Sequence, residues 1–133
     1  MPSTDTQLTA THLAYLATQR LGRLATVDPE GRPQNNPVGF RYNADLGTID
    51  IGGHNMGRSR KFANLATSPH VAFVVDDIAS YQPWKVRCVE IRGTAEAIAN
   101  QEPGIAGFSG EIIRVHPRRI ISFGLEQDAP AGS

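Results

Sequence analysis

The sequence predicts a mainly β fold: six or seven antiparallel strands forming a small barrel, closed or split, with two short helices plugging its ends. Three observations predict it. Apolar residues alternate with polar ones or fall in short β-branched runs. Tight turns such as "DPEG" (Asp28 to Gly31) and "NADLG" (Asn43 to Gly47) join most successive runs, which favours antiparallel pairing over crossovers. Only two segments space their apolar residues helically.

The first helix is predicted roughly from Thr9 to Arg20. Leu13, Leu16, Ala17 and Leu21 recur at i, i+3, i+4 and i+8, and Gly22 ends it. "RLATVD" from Arg23 is a strand, and "RPQNNPVGFRY" (Arg32 to Tyr42) is its returning partner. Pro33 and Pro37 confine that partner to an edge, a bulge or a place where backbone donors face a ligand. "TIDIGG" (Thr48 to Gly53) is the next strand. A second helix is predicted from about Gly57 to Thr67, with Phe62, Leu65 and Ala66 on one face, and Pro69 stops it. "VAFVVDD" (Val71 to Asp77) is an apolar strand, followed by the loop "IASYQP". In "WKVRCVEIRGTAEAI" (Trp84 to Ile98), Val86, Cys88 and Glu90 point one way and Arg87, Val89 and Ile91 the other. "GEIIRVHP" and "RRIISFGL" are read as two further strands.

The 133 residues predict one domain spanning 1–133, with residues 1–8 and 126–133 as loose, flexible termini. Thirteen basic and thirteen acidic residues balance, so nothing global draws the chain to nucleic acid or to an anionic membrane. The single cysteine, Cys88, excludes a disulfide framework and fits a reducing cytoplasm. The first 21 residues lack the basic start and apolar run of a signal peptide, and no segment reaches about 18 consecutive apolar residues. His12, His54, His70 and His116 show no metal spacing, and neither a G-x-G-x-x-G after a strand nor a P-loop is present.

One local feature departs from this even composition. "NMGRSRKFANL" (Asn55 to Leu65) gathers Arg58, Arg60 and Lys61 around Ser59 where the glycine-ended strand gives way to the second helix. It is either a solvated helix start or an anion cradle. A helix start offers unpaired N–H groups, serine a hydroxyl, arginine a planar fork and lysine a mobile charge, which together suit a monophosphate. Cations at a helix start oppose its dipole, which weakens the purely structural reading.

Strand, Gly-Gly, loop, "SRK", helix and "SPHVAFVV" in succession resemble the pyridoxamine-phosphate-oxidase-like superfamily, whose fold is the FMN-binding split barrel. "QRLGRLATVDPEGRPQNNPVGF", "LGTIDIGGHNMGRSRKFANL", "PWKVRCVEIRGTAEAI" and "EIIRVHPRRIISFGL" are similar to its actinobacterial deazaflavin-dependent branch, in particular to the subgroup of dehydrotetracycline-ring reductases. The resemblance covers about residues 10–125. It implies that Ser59, Arg60 and Lys61 hold the cofactor phosphate, and that Asn36, Pro37, Val38 and Gly39 run along the flavin-like ring. It also implies that Arg41 lies near the ring, that Ile51 and Gly52 flank the ring and its polyol chain, and that Arg87 and Trp84 reach in from the second subunit of a homodimer. The chain lacks the C-terminal extension that grips pyridoxal, so oxidation of vitamin B6 is not implied.

The implied cofactor is coenzyme F420, with FMN as the alternative. The anionic polyglutamyl tail of F420 needs cations beyond the phosphate cradle, and Arg58 or Lys85 would supply them. The implied activity is hydride transfer from reduced F420 to a conjugated acceptor: a quinone, an enone or a tetracycline-like ring. His54 is the candidate general acid, with solvent as the alternative proton source. The rivals are an FMN-dependent oxidase or reductase on the same barrel, and a binding protein that does not turn over.

Overall fold

The computed structural model describes residues 3–99 and 109–125. It is a split β-barrel. One antiparallel sheet runs in the order β3 (Pro33–Gly39), β2 (Leu21–Val27), β6 (His70–Tyr81), β7 (Trp84–Ile98), β8 (Ile112–Phe123), β5 (Thr48–Ile51), β4 (Arg41–Asn43). A short β1 (Ser3–Asp5) pairs with Ile120–Ser122 of β8, so residues 3–5, expected within a loose terminus, extend the sheet.

Chain connectivity explains why the sheet curls. β3 and β4 stand at its opposite ends, yet only Phe40 separates Gly39 from Arg41. Consecutive Cα atoms are about 3.8 Å apart, so the two ends must meet at that corner. Phe40 fills the corner and meets Phe73 edge-on at 5.3 Å. The expected single strand from Arg32 to Tyr42 is thus two strands bent at Phe40.

The inward faces form the core. Leu24, Phe73, Val75, Val89, Ile91, Ile113, Val115, Ile120, Ile49 and Ile51 are all fully buried. Each contributes roughly 1.5–3 kcal/mol by leaving water. α1 (Ala10–Leu16) packs over this core through Tyr15 and Leu16, with Leu13 partly buried beside them. It begins in a capping box: the Thr9 hydroxyl accepts from the His12 amide, and the His12 Nδ1 accepts from the Thr9 amide at 2.9 Å. The buried His12 ring also reaches Ser122 Oγ of β8 at 3.2 Å. The helix stops at Leu16, a turn earlier than its periodicity predicts.

The second predicted helix is a 3₁₀ turn (Met56–Arg58) followed by α2 (Arg60–Asn64). Met56 and Leu65 anchor this connection in the core. Asn64, 2% exposed, donates to Thr26 Oγ1 on β2 and to Gln34 Oε1 on β3 at 2.9 and 2.6 Å.

Two further differences concern the long strands. Residues 78–81, expected as loop, continue β6: Ile78 pairs with Val86 and Tyr81 with Trp84, leaving Gln82–Pro83, a cis peptide, as the turn. "GEIIRVHP" and "RRIISFGL" are not two strands but one, β8, which carries Pro117 through a bulge opposite Gly93. There β7 and β8 approach so closely that a Cβ on Gly93 would lie 2.0 Å from the His116 carbonyl oxygen. That oxygen is backbone and cannot swing aside. Gly93→Ala is expected to cost about 3 kcal/mol, the upper end for overpacking, and to lower the melting temperature by roughly 10 °C in a calorimetric scan.

Candidate functional site

The cationic stretch sits where the connection from β5 enters α2. Ser59 is the N-cap of α2: its Oγ accepts from the Phe62 amide at 3.2 Å and donates to the Met56 carbonyl at 2.7 Å. Its hydroxyl proton is therefore committed to the backbone. Ser59 thus shapes the start of the helix that carries Arg60 and Lys61. α2 has only five residues, so the site rests on its cations more than on a helix dipole.

Arg58 and Arg60 are exposed and Lys61 is half-buried, and none has a carboxylate within ion-pair distance among the described residues. Five arginines elsewhere are matched, Arg23 with Asp76, Arg32 with Asp28, Arg87 with Asp77, Arg92 with Glu90 and Arg114 with Asp50, whereas Arg20, Arg41, Arg118 and Arg119 make no ion pair among the described residues but do not cluster in the chain as these three do. Three positive charges over four residues thus stand uncompensated among the described residues of a chain of zero net charge. A phosphate fits this donor set, since its two charges would meet a fork and a point charge.

The expected ring-lining residues divide by face. Val38 (6% exposed) and Ile51 (fully buried) point into the core, so neither presents its side chain at the surface. Asn36 shares the inner face by its pairing with Leu24, half-buried. Pro37 and Gly39 face outward and are exposed, opposite Arg23 and Leu21. Beside them lies a cleft of about 320 Å³ lined by Gln19, Arg20, Leu21, Gly22, Arg23, Pro37 and Asp76. Arg41 is exposed and lines an adjoining cleft with Phe40, Tyr42 and Gln19. Gly52 and His54 follow β5 in the loop that leads to the cations, His54 exposed. Arg20 and Leu21 were missed from sequence, because they end a predicted helix and only the tertiary fold sets them beside Pro37.

Arg87 and Trp84 lie on β7. Arg87 grips Asp77 through Nε (2.9 Å) and Nη2, and its guanidinium lies 5.1 Å over the Tyr15 ring. Tyr15 Oη donates to the same carboxylate at 2.8 Å. The Arg87 hydrogen bonds hold Asp77 below its ordinary pKa against opposing burial, with Tyr15 and Gln19 adding to the effect. Burial, followed by the bond to Asp77, pushes Tyr15 upward. Trp84 is 63% exposed at the hairpin tip, edge-on to Tyr81 at 6.1 Å, and Lys85 beside it is exposed. Burial pushes the Cys88 thiol up to about 11, with Asp76 and Glu90 adding to it, so the thiol stays protonated.

A family model described as pyridoxamine 5'-phosphate oxidase matches residues 8–123. The chain belongs to the pyridoxamine 5'-phosphate oxidase family. It is 46% identical over 136 positions to a 5a,11a-dehydrotetracycline/5a,11a-dehydrooxytetracycline reductase of Streptomyces rimosus, covering 99% of this chain and 90% of that protein. A conserved hypothetical protein of Mycobacterium tuberculosis superposes with a TM-score of 0.71 at 20% identity, covering 95% of this chain and 91% of that one. An FAD-binding protein of Mesorhizobium loti superposes with a TM-score of 0.64 at 20% identity, covering 92% and 96%. These two likenesses establish the fold alone. The resemblance read from "SRK" and its flanking strands is borne out at the level of family and barrel.

Proposed function

We propose that this chain is a reductase that uses coenzyme F420 to reduce a conjugated small molecule. The observation that carries the reading is the uncompensated cluster of Arg58, Arg60 and Lys61 on a Ser59-capped turn of a pyridoxamine-5'-phosphate-oxidase barrel. Oxidoreductase chemistry is supported by that family and by the reductase relative matched across 99% of the chain. The deazaflavin is favoured over FMN because three cations exceed what one phosphate needs, and Arg58 is left for a further carboxylate. When bound, the reduced deazaflavin supplies a hydride.

The chain's own residues have the remaining tasks. Arg60 and Lys61 hold the phosphate, Pro37 and Gly39 offer a flat exposed ledge for the ring, and Arg20 and Leu21 border the acceptor. His54 is the titratable side chain in the loop between β5 and the cations. A His54→Ala variant with unchanged turnover would assign the proton to solvent.

The chain works as a homodimer in this reading. Ile78, Tyr81, Trp84 and Phe123 are 41%, 74%, 63% and 42% exposed, and Ile78 and Phe123 neighbour Val86 and Cys88 on the outward face of the sheet. A large exposed apolar patch marks an interaction surface. No described helix is long and apolar enough to cross a membrane, and a cytoplasmic location fits the single thiol.

Fluorescence titration of the purified protein with oxidised F420 and with FMN tests the cofactor. F420 is expected to bind at least tenfold more tightly, a difference of about 1.4 kcal/mol. Tighter FMN binding, or yellow protein after dialysis, overturns the deazaflavin assignment. Tight F420 binding without oxidation of reduced F420 across quinones, enones and dehydrotetracyclines leaves a binding protein.

A further inference from the structure

The loop from Gly52 to Ser59 is gripped by the residues that lead into β8. The Ser109 amide donates to the Gly53 carbonyl at 2.9 Å, and the Met56 amide donates to Ser109 Oγ at 3.1 Å. Glu111 lies against Gly57, where a Cβ would stand 2.7 Å from both Cδ and Oε2 of the carboxylate. Its carboxyl is held below its ordinary pKa, chiefly by the neighbouring Ser109 hydroxyl and then by the backbone at Glu111 and Gly57, burial opposing. The Ser109 hydroxyl also donates to the Gly53 carbonyl at 3.1 Å.

One oxygen of Glu111, Oε1, is buried without a hydrogen-bond partner among the described residues, an arrangement that costs stability at that atom. Glu111 forms no ion pair with Arg58, one residue beyond the glycine it touches. A carboxylate near a phosphate site also repels the ligand. The contact with Gly57, at the centre of the Met56–Arg58 turn, is what the residue achieves.

We propose that Glu111 is a positioning residue of the anion cradle: its carboxylate packs against Gly57, fixes the Met56–Arg58 turn, and so sets Arg58 beside the anion that Arg60 and Lys61 hold. The inference rests on the cradle reading above. Its two possible actions have opposite signs, which makes them separable. Loss of its charge alone would tighten phosphate binding, whereas loss of its hold on Gly57 weakens it.

The test titrates F420 and FMN into the full-length protein and into Glu111→Gln, Glu111→Ala, Gly57→Ala and Arg60→Ala, at several salt concentrations. The glutamine keeps the shape of the contact with Gly57, so Glu111→Gln is expected within about threefold of the parent. Glu111→Ala and Gly57→Ala are expected to weaken binding about tenfold or more. The slope of log Kd against log salt is expected to flatten in both, because fewer cations reach the anion together. A mere loss of fold stability would leave that slope unchanged. Unchanged or tighter binding by Glu111→Ala overturns the proposal, as does equal weakening in Glu111→Gln. Should Glu111→Ala fail to fold, Gly57→Ala decides from the other side of the contact. If Arg60→Ala binds like the parent, the cradle reading itself fails; if Arg60→Ala is weak and Glu111→Ala is not, only the positioning role fails.

Discussion

An Arg60→Ala, Lys61→Ala double variant is expected to bind F420 about a thousandfold more weakly than the parent protein. Each side chain supplies charge-assisted hydrogen bonds worth roughly 1.5–3 kcal/mol, and together about 4 kcal/mol, with tenfold in Kd for every 1.4 kcal/mol. The fold has little reason to change. Arg60 is exposed, Lys61 is half-buried, and neither pairs with a carboxylate among the described residues. Circular dichroism and the melting temperature should therefore match the parent while affinity collapses. The residual binding should also be less sensitive to salt, since two of the attracting charges are gone. Parent-like affinity in a folded double variant would show that the anion is held elsewhere. The Ser59→Ala change should behave differently: it removes the cap from the Phe62 amide and should cost about 1 kcal/mol of stability alongside any loss of affinity.

The largest stability loss is expected for Asp50→Ala. Asp50 lies on β5 with its side chain only 2% exposed and carries four hydrogen bonds. Arg114 Nε and Nη2 reach its two oxygens at 3.0 and 3.1 Å, Asn43 Nδ2 donates at 3.0 Å and Thr48 Oγ1 at 2.9 Å. Removing the carboxylate takes both of these contacts from a guanidinium that is itself only 14% exposed. Breaking one side of a buried pair costs about 3–5 kcal/mol, so the midpoint of thermal unfolding should fall by roughly 10–17 °C.

The pH dependence follows from the same contacts. Burial works to raise the Asp50 pKa, but the bonds from Arg114, Asn43 and Thr48 and the Arg114 charge outweigh it and leave the pKa below its ordinary 3.8. A carboxylate depressed in the folded state adds stability that is fully present above its unfolded pKa and is lost as pH falls through the folded value. The stability difference between parent and Asp50→Ala should be constant from about pH 5 to 8 and should shrink below about pH 4. Asp28, Asp77 and Glu111 are depressed as well, so both proteins lose stability in acid. The difference between the two urea-unfolding curves isolates Asp50. A gap that widens in acid would contradict this assignment.

Much of the architecture was legible in the chain. Alternation from Val86 to Ile91 and the β-branched run from Val71 gave strands with the right division into two faces, because a period of two leaves little choice once one side must be dry. The corner at Phe40 was not legible. "RPQNNPVGFRY" reads as one extended segment, and nothing local says that its halves belong to opposite ends of a sheet. Pro117 suggested a break in β8, since proline removes a ladder donor. The bulge opposite Gly93 absorbs it, and that bulge exists only when β7 and β8 are paired.

The site divides in the same way. Residue type and spacing alone determined that three cations would crowd one serine after a glycine-ended strand, because these are properties of neighbours in the chain. Three further facts needed the folded protein. Val38 and Ile51 turn inward, the Ser59 proton is committed to Met56, and Glu111 stands beneath Gly57, 54 residues away in sequence. Contacts of that range depend on which strands meet across the curled sheet. That choice is made by burying Phe73, Ile91, Ile120 and their neighbours together, and the local pattern around the cations carries no trace of it.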